Sequence, residues 1–285
     1  MKPVLRKAQK EDTARCGRIC YEAFKAIAEQ HNFPPDFPTS EDAVGLLSML
    51  LSHPGFYGVA AELNGEIAGS NFLDERNPIS GVGPITVDPR LQNAGIGREL
   101  MGAVMRRSDE RGFAGIRLVQ SGYHTRSLSL YLKLGFEARE HLSCMQGSPI
   151  NQSIPGYNVR QASESDLEAC NQLCAHVHGH NRAGELRDAI AQGTARVVER
   201  AGRITAYATT IAFFGHAVAE SNDDLKALIA TAPAFAGPGF LVPSRNGELM
   251  RWCLGKGLRV VQPMTLMTIG LYNEPAGAWL PSIAY

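Results

Sequence analysis

Residues 87–98 read VDPRLQNAGIGR, in which a proline and two glycines follow an apolar run and precede a helix-like segment. The first turn of a helix leaves backbone N–H groups free at the positive end of its dipole, and such an end attracts anions. Gly95 and Gly97 let the backbone approach a ligand closely. The stretch therefore predicts a strand–turn–helix connection that either binds a phosphate group or is an ordinary turn.

Two common phosphate-binding motifs are excluded by single positions. Leu100 stands where a third glycine of G-x-G-x-x-G would be, and no Gly-Lys-Ser/Thr sequence of a Walker loop follows. Arg98 and Arg90 lie close enough in sequence to add charge-assisted hydrogen bonds to an anion. A phosphate site in this loop would therefore be of a different type from these two motifs.

Composition and charge restrict the class of protein to which the whole chain can belong. Its 285 residues, 44% hydrophobic and 20% charged, predict a globular protein of about two domains. The 28 basic and 28 acidic residues balance, which argues against nucleic-acid and membrane partners. The first residues lack a signal-peptide pattern, and no apolar run is long enough to span a membrane, so we expect a cytoplasmic protein. Its oligomeric state is left open.

An internal repeat divides the chain into two halves. The segment LRKAQKEDTARCGRIC from Leu5 aligns without gaps on VRQASESDLEACNQLC from Val159. Residues 146–156, QGSPINQSIPG, lack charge and periodicity and are typical of a linker. We predict a first domain over residues 1–145, a linker over 146–157 and a second domain over 158–285.

Local patterns in the first half predict strands that alternate with helices. Asn64-Gly65 joins two apolar runs and indicates a hairpin. Helices are predicted near residues 11–30, 40–52, 97–111 and 125–133, and GVGPITVD (81–88) is predicted to be one strand. The predicted fold class is α/β, more closely α+β, with a mixed and mostly antiparallel sheet flanked by helices in each half.

With these elements in place, ITVDPRLQNAGIGRELM (residues 85–101) closely resembles the acetyl-CoA signature of the GNAT acetyltransferase superfamily. In that signature V-x-P leads to Q/R-x-x-G-x-G/A, and Gln92, Gly95 and Gly97 fill its defining places. TRSLSLYLKLGFE (125–137) resembles the second motif of the superfamily, a helix with a tyrosine that ends in L-G-F. Both motifs have the expected order and spacing, and the likeness extends over about residues 1–145.

The resemblance implies roles for particular residues. The backbone of Ile85, Thr86 and Val87 would pair with the pantetheine arm, and Tyr131 would face the thioester sulfur as the catalytic acid. A departing thiolate needs a proton, which a phenol within reach can supply. The remaining residues implied to bind acetyl-CoA are Gln92, Asn93, Ala94, Gly95, Ile96, Gly97, Arg98, His124 and Ser127. The structural alternative for Tyr131 is a core aromatic residue.

Two features depart from the superfamily pattern. His124 stands where many members have a cofactor-binding asparagine, seven residues before the tyrosine. The strand GIRLVQ carries no glutamate to serve as a general base, so the base must come from elsewhere or act through water. The candidates are Glu29, His31, Asp74, Glu75 and Asp88, and most of them are expected to be surface charges.

The second half keeps the fold signals but not the motifs. LVPSRNGELMRW (241–252) shortens the glycine loop to SRNG and leaves only Gly247 there. We expect a degenerate GNAT-like domain that either covers the substrate cleft, binds a second ligand or binds nothing. CNQLCAHVHGH (170–180) holds metal-ligand residue types, but its Cys spacing repeats that of Cys16 and Cys20, which favours helix packing over metal binding. No metal is expected.

The sequence predicts an acetyl-CoA-dependent N-acetyltransferase in which a primary amine attacks the thioester directly within a ternary complex. The acceptor would be an amine on a small molecule or peptide. The alternative is a non-catalytic acyl-CoA-binding or sensor protein, which the degenerate second half makes conceivable. Tyr131 beside an intact glycine loop argues for the enzyme.

Overall fold

A computed structural model describes residues 2–285, and its first half follows the predicted order of elements. These elements are β1 (Val4–Lys7), α1 (Thr13–Gln30), α2 (Ser40–Ser52), β2 (Phe56–Leu63), β3 (Glu66–Asp74), β4 (Ile79–Val82), β5 (Thr86–Val87), α3 (Ile96–Arg111), β6 (Gly115–Ser121), α4 (Thr125–Lys133) and β7 (Glu137–Gln146). Residues 147–157 carry no helix or strand.

The second half is also a mixture of helices and strands. It contains β8 (Asn158–Gln161), α5 (Leu167–His178), α6 (Ala183–Ala191), β9 (Arg196–Arg200), β10 (Arg203–Ala208), β11 (Ala217–Ala219), α7 (Asn222–Thr231), β12 (Phe240–Pro243), α8 (Gly247–Gly255), β13 (Arg259–Gly270) and β14 (Ala278–Leu280). Nearly all strand pairs are antiparallel, which confirms the predicted fold class.

The strands form two sheets, and the division between the sheets does not coincide with the division of the sequence into halves. The larger sheet runs in the order β1-β2-β3-β4-β6-β13-β7-β12, with β5 paired to β3. The smaller sheet runs β14-β11-β10-β9-β8. Strand β13 thus lies between β6 and β7, pairing Met267 with Leu118 on one side and with Ala138 on the other. Two strands of the second half, β12 and β13, complete the sheet of the first half. The domain boundaries drawn from the sequence therefore remain a prediction.

The segment predicted as one strand over residues 81–88 is interrupted. Strand β4 pairs with β6 only from Ile79 to Gly81, and β5 pairs only with β3. Gly83 between them has a φ of 136°, and Pro84 has no N–H to donate. The chain therefore leaves β6 at this point, and a wedge opens between β5 and the end of β6.

The internal repeat is visible in the side chains. Arg6 bonds to Asp12 and Glu62 at 2.7 Å each, joining β1, the turn before α1, and β2. Arg160 bonds to Asp166 and Glu199 at 2.7 Å each in the corresponding place of the second half. Both networks tie the first strand of a half to its first helix and its second strand.

Helices α1 and α2 pack closely over one face of the larger sheet. A Cβ atom at Gly17 would lie 2.6 Å from the Cα atom of Val44, so only glycine allows this approach. Six cysteines, among them Cys16, Cys20, Cys170 and Cys174, are buried free thiols. None of the helices over residues 2–285 combines the length and the apolar character that a membrane span needs.

Candidate functional site

A cavity of about 1060 Å³ opens in the wedge between β5 and β6. Residues of β5, the glycine loop, the end of β6 and α4 form one end of it. The segment around α1 and α2 and several residues of the second half form the other end. The second-half residues are Phe213, Phe214, Gly237, Pro238, Met264, Ile283 and Ala284.

The glycine loop presents its backbone to this cavity. Gly95 caps the start of α3 with a φ of 81°, and Asn93 has a φ of 68°. A Cβ atom at Gly97 would meet nothing closer than Leu130 at 3.8 Å, so alanine would fit the protein itself. The amide of Arg98 already donates to the carbonyl of Gly95 at 3.1 Å. The amides ahead of it in the loop are therefore better placed to bind an anion than that of Arg98.

Three basic side chains line the same cavity as the glycine loop. They are Arg98, Arg126 and Lys133. Arg126 donates to the side-chain oxygens of Gln92 and of Asn93, the latter at 3.4 Å. Sequence reasoning missed Arg126, whose only signal was its position in the first turn of α4.

Tyr131 lies on the wall of the cavity and contacts the core. Its side chain is 6% exposed, and its ring centroid is 6.1 Å from that of Phe136 in an edge-to-face contact. Burial raises the pKa of the phenol above its usual 10, so the group stays protonated at neutral pH. A protonated phenol at this place can donate a proton to a leaving group.

Three polar side-chain atoms on the cavity wall are buried without a hydrogen-bond partner. They are Thr86 Oγ1, Gln120 Nε2 and His124 Nε2. Burial, reinforced by Arg126 and His31, lowers the pKa of His124 to about 4, so its imidazole is neutral at pH 7. Buried polar atoms are normally paired, so these three are suited to contact a polar ligand.

The structure brings together nearly all of the predicted cofactor contacts. Ile85, Thr86, Val87, Gln92, Asn93, Gly95, Ile96, Gly97, Arg98, His124 and Ser127 line the cavity together with Tyr131. Ala94 belongs to the same loop but is not among the lining residues. Ser127 donates to Gln120 at 2.7 Å, which holds that amide at the cavity wall.

None of the five predicted base candidates lines the cavity. Asp74 and Glu75 pair with Arg76 and Arg107, and Glu29 pairs with Lys25. His31 contacts the carbonyl of Ile27 at 3.1 Å through Nδ1.

Asp88 is also unsuited to accept a proton. Its fully buried carboxylate bonds to Arg90 at 2.6 Å and to Arg15 at 3.0 Å. The Arg90 hydrogen bond lowers the pKa of Asp88 to about 2. A carboxylate with this pKa is a weak base at neutral pH.

Two carboxyl groups that the sequence did not single out do line the cavity, Asp36 and Asp42. Asp36 lies in the loop between α1 and α2 and accepts a hydrogen bond from Gln262 Nε2 at 3.2 Å. The surrounding sequence PPDFP carries no pattern that marks a site.

The corresponding loop of the second half is built differently. The side chain of Asn246 accepts a bond from the amide of Leu249 at 3.2 Å and so caps α8. The preceding strand β12 pairs along its length with β7. The capped helix start leaves fewer free amides here than at α3.

The histidines of residues 170–180 take part in packing. His178 contacts Trp279 edge-on at a centroid distance of 5.3 Å, and His180 Nε2 lies 2.9 Å from the Tyr285 hydroxyl. In the part of the chain that the structure describes, no group of three or more His, Cys, Asp or Glu side chains is arranged to hold a metal ion.

The comparisons with known proteins agree with this geometry. Residues 21–136 match the family model described as the acetyltransferase (GNAT) family. A comparison with curated protein sequences gives no match.

Two solved structures match nearly the whole chain. A Pyrococcus horikoshii protein described as an acetyltransferase is 18% identical, with a TM-score of 0.75 over 98% of this chain and 94% of its own. A GCN5-related N-acetyltransferase from Sphaerobacter thermophilus is 17% identical, with a TM-score of 0.59 over 95% of this chain and 96% of its own. These likenesses show a shared fold in both halves. Residues 21–136 are thus similar to the GNAT acetyltransferase family, as the sequence motifs predicted.

Proposed function

We propose that the protein is an acetyl-CoA-dependent N-acetyltransferase acting on a primary amine, with its active site in the first half. The observation that carries this proposal is the single cavity that holds both the glycine loop and Tyr131. Acetyl-CoA would supply an activated acetyl group as a thioester. The residues around the cavity suit that molecule in three respects.

First, the wedge suits an extended amide-containing chain. Strand β5 pairs with β3 only, so it has no strand neighbour on the β6 side, where Gln92 Nε2 donates to the Val87 carbonyl at 3.4 Å. Buried backbone groups need partners, and a pantetheine arm offers both donors and acceptors.

Second, the glycine loop suits a pyrophosphate. The amides at the start of α3 point outward at the positive end of the helix dipole. Arg126, which bonds to the loop, and Arg98 add positive charge beside it, and Lys133 also lines the cavity. The side-chain cap on α8 and the shortened loop before it make the second half a poor equivalent, so we assign the cofactor to the first half alone.

Third, the chemistry of the wall suits direct attack by an amine. Tyr131 holds a proton that it can give to the departing thiolate, and the neutral His124 can bond to the ligand without adding charge. All six cysteines are buried, and burial raises the pKa of the thiols for which a shift is resolved, which disfavours a cysteine nucleophile.

A pair of glycine substitutions on α3 tests the proposal. Gly97→Ala puts a methyl group at the cavity wall without a clash in the protein, whereas Gly102→Ala changes the same helix away from the cavity. We expect Gly97→Ala to weaken acetyl-CoA binding at least tenfold in calorimetry and Gly102→Ala to leave it unchanged. Equal affinity in both variants would remove the loop from the binding site.

Enzyme and sensor differ in turnover. An amine panel assayed by release of free CoA thiol should yield at least one acceptor. Tight acetyl-CoA binding with no turnover on any amine would favour the non-catalytic acyl-CoA sensor.

A further inference from the structure

We propose that the acceptor is a small amine with an apolar body, whose ammonium group binds to the carboxylate of Asp36. This inference rests on the proposed acetyltransferase function, because it concerns the acceptor end of the same cavity.

The position of Asp36 is fixed by the second half of the chain. Gln262, which is 1% exposed on β13, donates to Asp36 Oδ1 at 3.2 Å. Two residues further along β13, Met264 pairs with Ser121 at the end of β6. The amide of Gly122 donates to the carbonyl of Pro263 at 2.8 Å. Asp36 therefore lies beside the carboxyl end of β6, from which the chain leads directly to His124 and α4.

Among the residues that the structure describes, Asp36 differs from the buried carboxylates in having no cationic partner. Each of those carboxylates has an arginine within 4.0 Å. The pairs are Asp12–Arg6, Asp74–Arg76, Asp88–Arg90, Glu140–Arg245, Asp166–Arg160, Glu185–Arg182 and Asp224–Arg200. Over residues 2–285, no Lys, Arg or His forms a salt bridge with Asp36. A carboxylate left without a cation at a cavity wall is suited to bind one from a ligand.

The surroundings of Asp36 supply no compensating charge. Burial raises its pKa to about 6, and the Gln262 hydrogen bond opposes that shift. Asp36 influences the pKa of three nearby titratable groups, all of which are uncharged at neutral pH. They are Cys20 on α1, Tyr123 after β6 and Cys144 on β7. Asp42 of α2 also lines the cavity, but its carboxylate is bonded to the amide and hydroxyl of Thr39.

The wall around this end of the cavity is apolar. Phe24 and Phe37 contact each other at a centroid distance of 6.1 Å and contribute from the first half. Phe213, Phe214, Met264 and Ile283 contribute from the second half. Such a wall binds hydrocarbon or aromatic groups, and one unpaired carboxylate matches one ammonium group. A polyamine or a basic peptide tail would place further ammonium groups against this apolar wall, because the other carboxylate on the lining, Asp42, is already bonded to Thr39.

The contact between the ammonium group and Asp36 also allows the amine to be deprotonated before it attacks. The ammonium group gives one proton to Asp36, directly or through water, and the free amine nitrogen then forms a bond to the acetyl carbon. The carbon–sulfur bond breaks, Tyr131 gives its phenol proton to the sulfur, and the second amine proton restores the phenol. Asp36 releases its proton to solvent, so each turnover yields one amide, one thiol and one proton.

Binding of the amine alone tests the charge contact without turnover. Calorimetry at pH 8 would compare 2-phenylethylamine, the uncharged 2-phenylethanol and the polycation spermidine. We expect the intact protein to bind 2-phenylethylamine at least tenfold more tightly than either of the others. Asp36→Asn, which keeps an oxygen for Gln262, should abolish the preference over the alcohol. Glu41→Gln, an exposed change on α2, should keep it.

Kinetics separates this inference from the proposed function. Asp36→Asn should raise the amine KM at least tenfold, remove the acid limb of kcat/KM near pH 6 and leave acetyl-CoA affinity unchanged. Acetyl-CoA binding without any amine preference, or an Asp36→Asn variant that retains the preference, would overturn this inference alone. Absence of acetyl-CoA binding would overturn the proposed function. Tighter binding of spermidine would overturn the assignment to a small apolar amine.

Discussion

Gln262 and Asp36 are 226 positions apart in the chain, yet the amide of Gln262 donates to the carboxylate of Asp36 at 3.2 Å. Gln262 lies on β13, the strand of the second half that runs between β6 and β7. The bond therefore joins the two halves at the acceptor end of the cavity. It also stabilises the ionised form of Asp36, because an amide donor favours the charged carboxylate.

Removal of this bond should shift a pH profile in a defined direction. The hydrogen bond holds the pKa of Asp36 below the value that burial alone would give, and that pKa is about 6. Gln262→Leu should raise it, so the acid limb of kcat/KM should move to higher pH. The measurement is kcat/KM for the amine from pH 5 to pH 9. An acid limb that stays in place or moves to lower pH contradicts the assignment.

Tyr131→Phe should slow the chemical step. The ring and its contact with Phe136 are kept, while the proton for the thiolate is lost. We expect kcat to fall by about 10²-fold, the lower end of the range for general acid catalysis, with acetyl-CoA affinity unchanged. Tyr57→Phe removes a hydroxyl away from the cavity and is the control. If kcat were unchanged at every pH, Tyr131 could not be the proton donor.

Asp88→Asn should reduce stability in a pH-dependent manner. Asp88 has a pKa of about 2 in the folded protein against an ordinary 3.8, so the folded state binds fewer protons than the unfolded chain between these values. Its contribution is complete above pH 3.8 and declines as the pH falls towards 2. At pH 7 we expect a loss of about 1–3 kcal/mol in the free energy of unfolding.

Urea unfolding of the wild type and of Asp88→Asn at several pH values measures this effect. The exposed change Asp109→Asn on α3 should alter the free energy of unfolding by less than about 0.5 kcal/mol. A difference between wild type and Asp88→Asn that grew towards low pH would have the wrong sign.

Gly81→Ala should displace the segment that covers the end of β4. A Cβ atom at Gly81 would lie 2.1 Å from the carbonyl oxygen of Ala284, so the chain around Ile283 and Ala284 must move. Overpacking of this kind costs about 1–3 kcal/mol. Since both displaced residues line the cavity, the amine KM should change while acetyl-CoA affinity does not.

The matched control for that change is Gly45→Ala on α2. A Cβ atom at Gly45 has nothing within 4 Å, and alanine is the better helix former. This variant should be at least as stable as the wild type. A Gly81→Ala protein with the same stability and the same amine KM would show that the segment adjusts without effect on the site.

Local sequence patterns account for most of the elements and for the part of the cavity lined by the glycine loop and Tyr131. Hydrophobic periodicity and turn residues predicted α2 and α4 with the bounds that the structure has. That the glycine loop and Tyr131 line one cavity could be predicted, because it depends on residues close together in sequence. A strand predicted through Gly83 and Pro84 was wrong, because residue pattern alone does not show where a strand leaves its neighbour.

The acceptor end could not be predicted, because it depends on contacts between distant parts of the chain. Asp36 became a candidate only when β13 brought Gln262 beside it. The predicted bases Asp74 and Glu75 were plausible from residue type, but their arginine partners are fixed by folding. Which carboxylates are paired is decided by tertiary structure.

The insertion of β13 between β6 and β7 also governs the order of events during synthesis. When the ribosome has made the first half, β6 and β7 still lack the strand that joins them, and the acceptor end lacks Gln262 and Met264. Domains usually fold as they emerge from the ribosome. Here the larger sheet cannot be completed until the chain has been synthesised as far as residue 270. We therefore expect no transferase activity in nascent chains that stop before β13, although their acetyl-CoA motifs are already complete.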